Sequence, residues 1–233
     1  STDEQKITSE QFIKELNGSK VEGELLKTFF YSILTSFIVL IVLYYLKLEI
    51  VADFFPKYGF FLFFAAISYG LILAALRQVR AYKEFACMSG MMIGMTTGMI
   101  AGFLSGFYVG ATNGMFVGGI FGIIVGIWLG VWMGRCCGIM GMMEGIMAGF
   151  MGGLMGAMTA VMLLNDHLHE ASIIIFLISS IILIALNYMV YREMKENERQ
   201  IQEDHMITII VTFFLIIITT WLMVYGPRSG LFG

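Results

Sequence analysis

The sequence predicts an all-α, polytopic integral membrane protein of about seven transmembrane helices, with a central glycine-zipper bundle in spans three to five. Three observations carry this. Of 233 residues, 58% are hydrophobic and only 13% charged, with a mean hydropathy of +0.84; a soluble domain of this size needs more polar surface. Apolar runs of roughly 20 residues, the length that crosses a bilayer, recur along the chain. From Gly90 onward, glycine falls at every fourth position through three successive apolar runs.

The elements follow in chain order. Residues 1–27 are polar and mixed in charge and lack the apolar core of a signal peptide, so they read as a cytoplasmic tail. Within them "TSEQFIKEL", Thr8 to Leu16, pairs Thr8 with Gln11 in a capping-box pattern and puts Phe12, Ile13 and Leu16 on one side. It is expected to be an interfacial helix. One transmembrane domain, 28–226, then holds spans at 28–46, 58–76, 87–111, 114–134, 137–164, 171–191 and 206–225, before a short external tail, 227–233. Spans one, two, six and seven are rich in Ile, Leu and Phe; spans three to five are rich in glycine. The charged run Arg192 to His205 reads as a solvated connection.

Lys and Arg set the orientation. With the N-terminus in the cytoplasm, the inner segments hold Lys6, Lys14, Lys20, Lys27, Arg77, Arg80, Lys83, Arg135, Arg192, Lys195 and Arg199, and the outer ones only Lys47, Lys57 and Arg228. An odd span count puts the C-terminus outside. The expected location is the plasma (inner) membrane. A net charge of −3 leaves no basic face for nucleic acid.

The glycine ladder comprises Gly90, Gly94, Gly98, Gly102, Gly106, Gly110, Gly114, Gly118, Gly122, Gly126, Gly130, Gly134 and Gly138, and after a slip of one position Gly141, Gly145, Gly149 and Gly153. Residues four apart share a helix face, drifting by about 40° per step. Small-xxx-small faces let membrane helices approach until backbones touch. The connections between the three spans are very short. Spans three, four and five are therefore expected to form one tight bundle of antiparallel neighbours.

Methionine adds a second pattern. Fifteen of the 19 methionines lie between Met88 and Met162. Met fills irregular gaps, but the fourth span carries the same ladder with Phe, Val, Ile and Trp between its glycines and only Met115 and Met133. A ladder does not require methionine. In the third span Met91, Met95 and Met99 each follow a ladder glycine by one position, and Met88 and Met92 form a neighbouring pair. In the fifth, Met143, Met147, Met151 and Met155 follow theirs by two, about 200° around the helix and so nearly opposite the small face. Met158 and Met162 extend the row. "GMMIG" at 90–94 recurs as "GMMEG" at 141–145, with Cys87 before the first and Cys136 and Cys137 before the second. This parallel repeat gathers three cysteines at one depth.

Thioether and thiolate are soft ligands suited to Cu(I). The expected function is binding or transport of a soft metal ion, Cu(I) first, along these stripes, with His167 and His169 at the outer end and Cys136 and Cys137 at the inner end. Graded weak sites let an ion step without a deep trap. This reading needs the thioethers of both helices to turn into a common interior, and replacing Met143, Met147, Met151 and Met155 with Leu is expected to abolish Cu(I) binding. Glu144, about 10 Å into the fifth span by helical rise, is a membrane carboxylate able to balance a cation or carry a coupled proton; pairing with Arg135 or Arg80 is its structural alternative. Met88xxxMet92, Met91xxxMet95, Met143xxxMet147 and the GxxxG ladder resemble motifs of CTR-type copper importers, which are three-span trimers. The Cys136–Cys137 pair resembles that of membrane mercury carriers, which are shorter. Neither resemblance covers a third of the chain. Two other functions are expected as alternatives: an assembly subunit or homo-oligomeric scaffold docking a membrane partner through the glycine bundle, and a pore for a small solute or ion. No phosphate loop, activated nucleophile or HExxH is present, so no enzyme is expected.

Overall fold

The computed structural model describes residues 10–14, 21–83, 85–194, 201 and 204–230, and contains helices and no strand among them. Thr8 and Leu16, most of the 195–203 connection and the last three residues lie outside the described residues. Seven long helices follow in order: α1 Val21–Leu46, α2 Phe60–Arg80, α3 Cys87–Asn113, α4 Met115–Gly134, α5 Gly138–Met162, α6 Leu168–Met194 and α7 Met206–Tyr225. The apolar stretch Met115–Met162 is 48 residues long, about 72 Å if straight, more than twice a bilayer core. It folds back at the turn Arg135–Cys137, where Gly138 takes φ +67°. All the helical stretches from α1 to α7 are long and apolar enough to cross a membrane, and the chain is a multi-pass membrane protein.

The spans match the predicted order. The last coincides with α7, whereas α1 begins at Val21 rather than 28 and α2 ends at Arg80 rather than 76. Both extensions carry charge past the apolar run. They meet: Arg77 is buried and donates through Nη2, at 3.1 Å, and Nε, at 3.3 Å, to Glu24 Oε2. A helix end that would otherwise leave the membrane unsupported is thus tied to its neighbour by a charge-assisted pair.

The bundle α3–α4–α5 is held by glycine. A Cβ at Gly126 would stand 2.8 Å from Gly102 Cα and 2.9 Å from Gly149 Cα, so one glycine from each helix meets at a single level. Similar contacts run along most of the ladder: a Cβ at Gly94 would meet Gly141 O at 2.8 Å and Gly134 Cα at 3.1 Å, and one at Gly98 would meet Gly145 O at 2.8 Å. Gly138 departs from the expected packing face: a Cβ there would meet nothing within 4 Å, and like Gly114, at φ +105°, it serves a turn that needs positive φ. Backbones touch, as the ladder predicted, leaving no lumen between them at these levels. The order of the contacts makes α4 antiparallel to both α3 and α5, with α3 and α5 parallel. A second small face on α5, unmarked by the ladder, seats Gly152 against Met99 O and Gly156 against Phe103 O.

The remaining helices pack around α2, which lies against α3 and carries α1, α6 and α7. Its face of Leu62, Ala65, Ala66, Tyr69, Ile72 and Leu73 is buried. Hydroxyl pairs bridge helices in this low-dielectric core: Tyr69 with Thr219 at 2.8 Å, Ser68 with Tyr108 at 3.0 Å and Ser32 with Thr212 at 3.0 Å. Such bonds contribute about 0.6 kcal/mol each on average in membranes. Asn187 serves α2 through its backbone: Gln78 Nε2 donates to Asn187 O at 3.0 Å. The helical segment 10–14 buries Phe12 against the rings of Tyr188 and Tyr191.

Candidate metal centre

Both glycine-flanked ends that carry cysteine lie on one side of the bundle. Cys87 opens α3 and Cys137 closes the turn before α5. Gly90 brings them together: a Cβ there would fall on Cys137 Cβ and stand 3.3 Å from Cys136 Sγ. Only a residue without a side chain lets the first turn of α3 press against this loop. Cys137 Sγ consequently lies 2.7 Å from Cys87 Sγ and 3.1 Å from Cys87 O. Cys87 Sγ is in turn 3.9 Å from Met140 Sδ. Three sulfur atoms, from α3, from α5 and from the turn before α5, thus converge at one end of the bundle.

Parallel register explains the third sulfur. Cys87 faces Met140, Met99 faces Gly152 and Phe103 faces Gly156, each pair the same number of positions apart. Extending that register sets Glu144 level with Met91. Met140 was not among the sequence-predicted ligands. The signal available was its position three after Cys137, which places it on the same side of the turn and first helical residues.

Cys87 is exposed, and Cys136 and Cys137 are half-buried free thiols. The hydrogen bond to Cys87 is the first cause raising the Cys137 thiol above its ordinary range, followed by burial and the charge of Cys87. Burial pushes the Cys136 thiol up to about 11. Cys136 is turned toward α4, donating to Met133 O at 3.3 Å. The pair that converges is Cys87 with Cys137, rather than the adjacent Cys136 and Cys137.

The stripes behave differently. Met143, Met147, Met151 and Met155 are 53%, 56%, 50% and 45% exposed. Met88, Met92, Met95, Met158 and Met162 are exposed as well, and Met91 and Met99 half-buried. The thioethers of α5 therefore turn away from the bundle instead of into a common interior. The reason is the ladder itself: backbones in contact leave no volume between helices for a long side chain, so the face opposite the glycines points outward.

The other predicted ligands find different partners. His167 takes φ +49° and pairs through Nδ1 with Asp166 Oδ1 at 2.9 Å, exposed at the α5–α6 turn. His169 lies against the rings of Phe60 and Phe61, with centroids 4.7 and 5.6 Å away. Glu144 is half-buried and makes no hydrogen bond or ion pair with any described residue. The Arg80 guanidinium stacks 4.6 Å above Trp132. Among the described residues no three His, Cys, Asp or Glu side chains come together; the cluster that does form is two thiols and a thioether.

Fold and site together define a multi-pass membrane protein with a sulfur-rich cluster at one end of a glycine bundle. Comparison of the chain with protein-family models, with curated proteins and with solved structures finds no match.

Proposed function

We propose that this protein binds a soft metal ion, Cu(I), through Cys87, Cys137 and Met140, as a step in handling or transporting that ion across the membrane. The observation that carries the reading is the approach of Cys87 Sγ to Cys137 Sγ, 2.7 Å, with Met140 Sδ beside them. Two thiolates and a thioether are a donor set that favours Cu(I) over harder ions. Binding exchanges two S–H protons for one Cu⁺, with both protons released to solvent and no change of oxidation state. The basic residues of the inner segments support a cytoplasmic position for the site. Glu144, roughly one turn further along α5, supplies a negative charge for an ion moving beyond the thiols.

A thiol must lose its proton to bind the metal as a thiolate, so protons compete with the metal. Titration of the reduced protein with Cu(I) against a chromophoric competitor at a series of pH values tests this. The logarithm of apparent affinity should rise with pH at a slope approaching two, one proton for each thiol, and flatten once both are ionised. A pH-independent affinity contradicts thiolate ligation.

One observation favours a second reading, an assembly subunit or homo-oligomeric scaffold. Among the described residues α5 packs against α3 and α4 and against no other long helix to any large extent, and its Met face is exposed. A second copy or a partner helix would cover it. In that case the Met→Leu variant of the stripe assembles normally, whereas enlarging a ladder glycine disrupts assembly. A pore along the bundle axis has least support, since the glycine backbones touch there.

A further inference from the structure

We propose that the face between α2 and α4 and the furrow beside α7 form a binding site for an anionic phospholipid. Three cavities in series carry the inference. The first, about 270 Å³, lies at the inner end of α2 and α4 and is lined by Arg80, Lys83, Arg135 and Trp132. No Asp or Glu among the described residues lines it. The second, about 210 Å³, shares Trp132 and Arg135 with the first and adds Trp128. The third, about 610 Å³, shares Trp128 with the second and continues as a wholly apolar furrow between α4 and α7, past Ile124 and Phe214.

Polarity changes along this path as it does along a lipid. Three cations surround the first cavity. Trp128 and Trp132, stacked with centroids 5.6 Å apart, separate it from the furrow, at the depth where indoles favour the membrane interface. From Arg135 to Ile124 is about 16 Å of helix, close to half of a hydrocarbon core of about 30 Å. One phospholipid of the inner leaflet therefore fits with its phosphate among the cations and an acyl chain in the furrow. Basic pockets between membrane helices recognise anionic headgroups in this way. Arg80 and Lys83 take part in further interactions, so Arg135, which is exposed, is the cation on which the headgroup contact first depends. The site shares the turn Arg135–Cys137 with the thiol pair, but neither Cys87 nor Cys137 lines it, and it stands whether or not copper binds.

The test is native mass spectrometry of the full chain released from mixed phosphatidylglycerol and phosphatidylcholine nanodiscs with identical acyl chains. The wild type is expected to retain phosphatidylglycerol over phosphatidylcholine by on the order of tenfold. The Arg135→Gln variant should lose about fivefold of that preference, the worth of one cation near an anionic surface, and adding Arg80→Gln and Lys83→Gln should erase it. Arg135→Gln alone decides the matter if the triple variant fails to fold, because its side chain is exposed. Equal retention of the two lipids by the wild type, or an unchanged preference in Arg135→Gln, overturns the proposal. Inorganic phosphate at millimolar concentration should leave phosphatidylglycerol bound; its displacement by phosphate would mean a free anion site and would overturn the lipid assignment.

Discussion

Gly149→Ala is expected to destabilise the protein by about 3 kcal/mol, the upper end of the usual cost of overpacking. In a chain of this size that is a fall in Tm of about 6–12 °C, read in detergent by thermal denaturation. The new methyl group would fall on Gly126 C and Ile127 N of α4. Backbone atoms cannot rotate aside as a side chain can, so relief requires α4 and α5 to separate. Their separation also opens α3, because Gly102 and Gly126 meet Gly149 at the same level. Gly119→Ala is the control. Its Cβ would find only Leu154 Cδ2 at 3.5 Å and Ala157 Cβ at 3.8 Å, ordinary contacts, and the variant should match the wild type or exceed it slightly through better helix propensity. Equal Tm values for the two variants would contradict backbone contact as the basis of the bundle.

The second large effect concerns sulfur. Cys87→Ser with Cys137→Ser should abolish Cu(I) binding at stoichiometric metal, measured by competitive titration in reducing buffer. Serine preserves volume and offers a hard oxygen in place of the soft donor that Cu(I) prefers. Met140→Leu should weaken binding while leaving it measurable, since a thioether is a neutral and weaker ligand than a thiolate. The Leu variant of Met143, Met147, Met151 and Met155 now separates two accounts. With those side chains outward on α5, the thiol site should keep its full stoichiometry. Loss of Cu(I) in that variant would return the site to the stripes, and retention of Cu(I) by the double serine variant would remove the thiol pair from it.

The glycine bundle was legible because backbone contact admits no other residue, so the requirement is written directly as a period of four. The same rule hid the second small face, Gly152 and Gly156, which the slip in phase leaves off the ladder. Periodicity also assigned the α5 methionines to the side away from the glycines, correctly. It could not say what lies on that side, because a repeat defines a face of one helix and not its neighbour. The repeat "GMMIG" and "GMMEG" did bring its flanking cysteines to one end. It could not choose between Cys136 and Cys137, which depends on how the turn Arg135–Cys137 is wound. Met140 lies off the stripe, and its place beside Cys87 comes from the parallel register of α3 and α5. His169, a ligand type by chemistry, is placed by the neighbouring rings of Phe60 and Phe61. In the sequence Arg80, Lys83 and Arg135 counted toward orientation, and Arg80 and Arg135 also as partners for Glu144; their meeting around one cavity joins segments some fifty residues apart.

X-ray absorption at the copper edge, on the reduced wild-type protein loaded with one equivalent of Cu(I), tests the central claim most directly. A first shell made only of sulfur, present in the wild type and lost in the double serine variant, is the expected result. A shell containing nitrogen or oxygen donors, or an unchanged spectrum once Cys87 and Cys137 are replaced, would contradict it.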